Sequence, residues 1–517
     1  MNPRSTLAGV VAAAFALAPL AAAQCVPTID ALPGQPGFDL EVFALTEFDA
    51  GFGSRLYAGG RFTHSGGVSV RGLAVWNGSS WDAVGSGVGG QAVAGIRAMT
   101  VFDDGNGPEL YVAGNFSTID GIAAQNVARF DGTSFHAVGA GLPTVVRALT
   151  TFDDGSGTRL FAGGDFTLAN PGGVFRFDGT QWSIVAGGID AGPVFSSGSV
   201  RALTTYDDGQ GTELFAGGIF HRAGTATTHY IARFDGTSWS AVGSGLDEPA
   251  NVLHVFDAGA GPELFVGGTF LHAGGVAAAH AARWDGTQWR DLGNASFLEF
   301  FGSIDAMTSL DDGSGPALLL AGSNGFGPTP IFRWDGGPKW TPLSTTFIGT
   351  ILALSAFADE CTTGLMIGGS ITKVGTQSIG RCARLRGCAT GPTTLVATTS
   401  PQLGTDLVLA GSSPGNDGRA YFCGFAFGAS PGITLSQGTI VPLNVDPLLF
   451  ASLDSGSPLF DDQFGVLTAC AATTRFHLPP IPAAAGLSIT SALVVFEPAA
   501  PDGIEAISAP LTMTLNP

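Results

Sequence analysis

Charge is scarce in this sequence. Only 12 % of its 517 residues are Asp, Glu, Lys or Arg, and acids outnumber bases 42 to 22, giving a formal net charge of −20. Nucleic acid and anionic membrane surfaces repel such a chain, so neither is expected as a partner. Helical periodicity is also lacking. No segment sustains a 3.6-residue apolar repeat, and 78 glycines are too many for long helices. Beyond the N-terminal region no apolar run is long enough to span a membrane. No H-E-x-x-H pattern and no phosphate-binding P-loop occur. None of the six cysteines falls in a C-x-x-C pair.

What is present begins with a targeting segment. Arg4 supplies a positive start, Leu7 to Leu20 is almost continuously apolar, and Ala21-Ala22-Ala23 offers a small-residue cleavage site. Residues 1–23 are therefore expected to be a signal peptide, cut after Ala23. Cys25 does not make a lipoprotein site, because Gln24 stands where a small residue is needed. The mature chain is expected to be secreted or at the cell surface. There cysteines favour disulfides. Cys423 and Cys470 are expected to pair. Cys25, Cys361, Cys382 and Cys388 form a second group, and their pairing stays open.

The body of the chain repeats itself. "ALTTYDDGQGTELFAGGIF" begins at Ala202, and equivalents begin at Ala44, Ala98, Ala148, Val252, Ala306 and Ala353, 47 to 54 residues apart. Each repeat reads as four short strands separated by Gly-rich turns, as in "RALTTYD", "ELFAGG", "YIARFD" and "SWSAVG". One such sheet cannot bury both faces alone. Seven stacked around an axis can, so residues 24–390 are expected to form a seven-bladed β-propeller of four-stranded blades. The seventh repeat lacks a fourth strand. "TIDALPG" from Thr28 matches "SWSAVGS" from Ser238, with Ile29 at the Trp position, so the N-terminal strand is expected to close the last blade. Cys25 and Cys388 would then lie near one hairpin. Tyr57, Tyr111, Phe161, Phe215 and Phe265 at one position, and Trp81, Phe135, Trp182, Trp239, Trp289 and Trp340 at another, are expected to wedge between blades. Residues 391–517 change language to short apolar runs broken by Gly, Pro, Ser and Asn, and are expected to form a β-sandwich-like domain.

The repeat resembles the kelch motif. The Gly pair of the second strand is present as Gly59-Gly60, Gly163-Gly164, Gly217-Gly218, Gly267-Gly268 and Gly368-Gly369, and Trp81, Trp182, Trp239 and Trp289 match the family's Trp. The wording is also similar to propeller repeats of the fungal cortical polarity-marker family and of uncharacterised secreted bacterial repeat proteins. It departs in the second and sixth repeats, which keep one Gly (Gly114, Gly322), and in the seventh, which has no Trp. The resemblance implies a fold and no particular activity.

Candidate chemistry belongs where repetition breaks. The "DDG" acids offer too few ligands for calcium and read as Asx turns. Arg129 with Asp131, and the equivalent pairs Arg176/Asp178, Arg233/Asp235, Arg283/Asp285 and Arg333/Asp335, read as ion pairs along one strand face. A copper site of the galactose-oxidase kind fails, because Tyr57, Tyr111 and Tyr206 are repeat positions and Tyr230 is left alone in the repeat region. Asp120, Asp165 and Glu299 break the repeat, but the sequence does not place them together as a glycosidase requires. His229 and Tyr230 stand before a third strand, with His64, His221 and His272 on related loops. Phe297, Phe300 and Phe301 crowd the fifth inter-repeat connection. These five, His229, Tyr230, Phe297, Phe300 and Phe301, are the candidate binding residues. No catalytic residue, metal or cofactor is assigned. The expectation is a non-enzymatic binding or scaffold module for an extracellular or envelope protein or glycan. A carbohydrate-active enzyme and a structural surface-layer or adhesion component are the alternatives.

Overall fold

The computed structural model describes residues 28–30 and 37–386, with short breaks at 52, 79, 168–171, 193–196, 293–300, 312–314, 325–326, 338–339 and 359–362, and then segments between 394 and 514. The described residues are all β, without an α-helix.

Each repeat is an antiparallel meander. In the fourth, Ser197–Asp207 pairs with Thr212–Ile219, which pairs with Ile231–Phe234, which pairs with Trp239–Ala241. The same order recurs along the chain. The third and fourth repeats share one larger sheet, because the second strand of the third, Thr158–Thr167, runs on to pair with Ser197–Asp207. In the seventh repeat the fourth place is filled by Thr28–Asp30, which lies antiparallel to Cys382–Arg386. Ile29 stands opposite Leu385, as Trp239 stands opposite Phe234.

The turns explain the repeated acids. Asp207 Oδ1 accepts the backbone N–H groups of Gly209 (2.8 Å) and Gly211 (3.1 Å), and Asp103, Asp153 and Asp257 do the same in their own hairpins. The carboxylate completes an Asx turn. At the next hairpin Asp235 Oδ1 accepts from the N–H of Thr237 and Ser238, both at 2.8 Å, and from the Thr237 hydroxyl. This corrects the expected Arg/Asp pairs. The aspartate oxygens are engaged by their own turn, and four of the five arginines turn to a neighbouring acid instead. Arg129 binds Glu109, Arg176 binds Asp154, Arg233 reaches Glu213 at 3.2 Å and Arg283 reaches Glu263 at 2.8 Å. Arg333 donates to the Gly315 carbonyl.

Neighbouring repeats are joined in two ways. The fourth-strand tryptophans are buried, Trp182 partly so. The indole N–H groups of Trp182, Trp239, Trp289 and Trp340 also donate to a carbonyl of the preceding repeat, whereas that of Trp81 is buried without a hydrogen-bond partner. Trp239 reaches Val185 (3.2 Å), Trp289 reaches Val242 (3.1 Å) and Trp340 reaches Leu292 (3.0 Å). The wedge is therefore also a hydrogen-bonded stitch. The first strands pack side by side in chain order, and the first strand of the seventh repeat, Ile351–Ala358, packs against that of the first, Val42–Asp49.

Beyond residue 393 the described residues form a two-stranded ribbon of Ile433–Thr434 with Ile440–Val441 and two larger antiparallel sheets. One contains Thr394–Ala397, Asp406–Ser412, Ala471–His477 and Phe460–Asp461; the other is centred on Ala420–Ala426 and Ser488–Phe496. Cys423 lies on Ala420–Ala426 opposite Leu493, whereas Cys470 lies outside the described residues. Cys382 is a free, buried thiol packed among Val42, Phe357 and Met366. It is thereby removed from the open disulfide group, whose other members, Cys25, Cys361 and Cys388, lie outside the described residues.

Candidate functional site

A β-bulge occurs at one position in all seven first strands. In the second repeat Ala113 pairs with Ala98 but Gly114 pairs with Ile96, so Arg97 has no cross-strand partner. The same step leaves Phe43, Arg147, Arg201, Asn251, Asp305 and Leu352 unpaired in the other repeats. A bulge bends its strand and re-aims the extra side chain. The glycine opposite makes this possible. A Cβ on Gly114, Gly218 or Gly322 would sit 2.0–2.1 Å from the carbonyl oxygen of Gly95, Ser199 or Ser303. This is the glycine that the second and sixth repeats retain.

The scaffold is symmetric and the seven side chains on it are not. Three successive repeats present Arg97, Arg147 and Arg201. The next two present Asn251 and Asp305, and Leu352 and Phe43 complete the series. The polar members are linked. Arg201 Nη1 donates to Asn251 Oδ1 (2.6 Å), Asn251 Nδ2 donates to Asp305 Oδ1 (2.7 Å), and the Ser303 hydroxyl donates to Asp305 Oδ2 (2.6 Å). Arg97 lies over the Phe43 ring, 4.7 Å from its centroid. Arg147 forms a two-point ion pair with Asp165, and beside the ring Arg61 forms another with Glu41.

The electrostatics confirm that these groups sense one another. Burial, and then the charge of Arg147, pull both Arg97 and Arg201 below the ordinary guanidinium pKa. Burial pushes the Asp305 carboxyl up, against the hydrogen bonds from Ser303 and Asn251 and the charge of Arg201. Neither Arg97 nor Arg201 forms an ion pair with a carboxylate among the described residues. A cavity of about 640 Å³ adjoins this end, lined in part by Leu40, Arg61, His64, Arg71, Gln91 and Val93.

Three residues further along each first strand runs a second series: Thr46, Thr100, Thr150, Thr204, His254, Thr308 and Ser355. His254 is the exception among hydroxyls. Its Nε2 is buried without a hydrogen-bond partner, and burial pushes its pKa down to about 4.

The loops that carry the sequence candidates leave the second strands at the end where the bulges lie, because the two strands are antiparallel. His229 and Tyr230 do lie together with His221. The imidazoles of His221 and His229 meet edge to face at 5.5 Å, and Tyr230 is 4.6 Å from His221. Their position is less singular than the sequence suggests. Tyr230 has φ +66°, and Asn126 (φ +63°) and His280 (φ +77°) take the same left-handed conformation before their third strands. All three carbonyls accept the N–H of the bulge-facing glycine, at 3.0 Å. His64 faces Asp39, and His272 is 2.8 Å from Asp247. Phe301 is buried against Phe332, while Phe297, Phe300 and Glu299 lie outside the described residues. Asp120 accepts from the Ser86 N–H at 2.8 Å, and Asp165 is committed to Arg147. Two stretches do spell G-x-S-x-G, Gly411 to Gly415 and Gly428 to Gly432. Ser413 and Ser430 lie outside the described residues.

Sequence reasoning missed the bulged residues and His254. A signal was present: "VRAL" precedes the first strand's core in two repeats and "IRAM" in another, and "VLHVFD" replaces "ALTTYD". No family model matches the chain, and no curated protein matches it.

Proposed function

We propose that the chain is an exported, non-enzymatic, kelch-like β-propeller of seven four-stranded blades, followed by a β-sandwich-like domain. It works as a binding module whose bulge-bearing face engages an extracellular or envelope protein or glycan. The circular reading is supported by the chain-order packing of the first strands, in which the seventh returns to the first, and by the N-terminal strand in the seventh sheet. The binding reading rests on one observation. Seven equivalent bulges carry seven side chains, and those side chains divide into a cationic arc, a polar pair and an apolar pair. Scaffold positions repeat; a recognition surface breaks the repeat.

The test is binding of the mature chain, from residue 24, to envelope fractions and a broad glycan panel. Saturable binding that is lost on replacing loop residues of the bulge-bearing face supports the reading. Substrate turnover abolished by one substitution on that face overturns it.

A further inference from the structure

The cationic arc has too few acids to neutralise it. Arg61, Arg97, Arg147, Arg201 and Arg381 act on this region, against Glu41, Asp165 and Asp305. Two of those acids are spent in two-point pairs with Arg61 and Arg147. Asp305 is held by Asn251 and Ser303. Arg381 donates to the Ser370 carbonyl. Arg97 and Arg201 are left as partly buried guanidiniums whose only described polar or ring contacts are the Asn251 amide and the Phe43 face. They flank Arg147, whose like charge disfavours both. In a protein of net charge −20 this is an uneconomical place for cations unless an anion joins them.

We propose that the arc formed by Arg97, Arg147 and Arg201 is a binding site for an oxyanion, a carboxylate, sulfate or phosphate carried on a small or chain-end ligand. Guanidinium is suited to this, because its planar fork matches such groups with two parallel hydrogen bonds. The bulges supply preorganisation, since each arginine is fixed by a backbone irregularity rather than by a mobile loop. Leu352 and Phe43 complete the ring with apolar surface, and the hydroxyl series that includes Thr100, Thr150 and Thr204 lies further along the same strands. The Phe43 face is already occupied by Arg97, so recognition centres on the anion. This inference rests on the proposed function only in taking this face as the binding face.

The experiment is calorimetric titration of the full mature chain with galacturonate, inorganic phosphate, inorganic sulfate and galactose. Saturable binding of one or more anions, weakening with added salt, with galactose inert, is expected. Tighter galacturonate than phosphate or sulfate assigns a sugar carboxylate; the reverse order assigns a phosphate or sulfate group. Arg97→Gln and Arg201→Gln should each lower affinity on the order of tenfold or more, the loss typical of a charge-assisted hydrogen bond. Arg290→Gln, which removes an exposed pair with Asp285, should leave it unchanged. Asn, Asp and Leu already occupy equivalent bulges, so the fold accepts uncharged residues there. If a variant nevertheless misfolds, the shift of the wild-type thermal midpoint by each anion, against galactose, gives the same answer. The proposal is overturned if no anion binds, if galactose binds equally, or if folded Arg97→Gln and Arg201→Gln bind as wild type. Envelope or glycan binding that survives in those variants would sink this proposal and leave the proposed function standing.

Discussion

Gly368 of the seventh repeat faces Val42 of the first so closely that a Cβ on the glycine would stand 2.7 Å from Val42 Cγ1. Gly59 meets Ile96 and Gly163 meets Val200 in the same way between consecutive repeats. The contact that links neighbours in sequence thus also links the last repeat to the first. Gly368→Val should destabilise the protein by about 1–3 kcal/mol or more through overpacking. Denaturant unfolding measures this, and an unchanged midpoint would contradict the contact.

Removal of residues 24–34 takes away Thr28–Asp30 and leaves Cys382–Arg386 as an open sheet edge. The thermal midpoint should fall. Light scattering should rise as the bare edge finds partners. A truncated chain that melts like the parent refutes the closing role of this strand.

The indole stitch separates into two effects. Trp239→Phe keeps most of the buried ring and loses the bond to Val185, so a cost of about 1–3 kcal/mol is expected. Trp239→Ala should cost about 3–5 kcal/mol through the cavity as well. Equal costs for the two variants would show that the bond contributes nothing.

His254 makes stability depend on mild acid. Burial holds its folded pKa at about 4, against 6.5 ordinarily. Between those values the unfolded chain binds more protons, so stability declines as pH falls from about 6.5 towards 4, by up to about 3 kcal/mol. His254→Thr restores the residue of the other strands and should flatten the pH profile in that window. Parallel profiles for the two proteins would exclude the histidine as the cause.

Asp235 acts lower on the scale. The Thr237 hydroxyl first, and then the N–H groups of Ser238 and Thr237, hold its carboxyl at about 2, below the ordinary 3.8. Its contribution is complete above about pH 4 and is lost as pH falls through about 2. The stability difference between wild type and Asp235→Ala should therefore shrink over that interval. A difference that stays constant to pH 2 would rule out the charged turn.

The sequence made some features legible and hid others, for physical reasons. Turns and aromatic stitches were readable because their residues have a single use: a Gly follows Asp235 because the turn demands it, and a Trp recurs because its slot does. The pairing of Ile29 with Leu385 was readable because the closing strand keeps the wording of its equivalents. The bulge was not, since one extra residue in "VRALT" looks like ordinary strand alternation. Its most regular trace was the second glycine, kept in all seven repeats from Gly60 to Gly369. His229 and Tyr230 drew notice by their identity, while the strand itself fixes their left-handed backbone.

The pairing of Thr28–Asp30 with Cys382–Arg386 also sets an order of events. These three residues are synthesised well before their partner, which follows about 350 residues later. Until that partner has been made, the leading segment stays unpaired beside a growing set of sheets. Among the strand pairings of the repeats this one spans the greatest sequence separation and so closes the largest loop. A chain stalled before Cys382 would display every preceding sheet with its final seam open. A probe of complete assembly therefore has one well-defined feature to read: whether Thr28–Asp30 has found Cys382–Arg386.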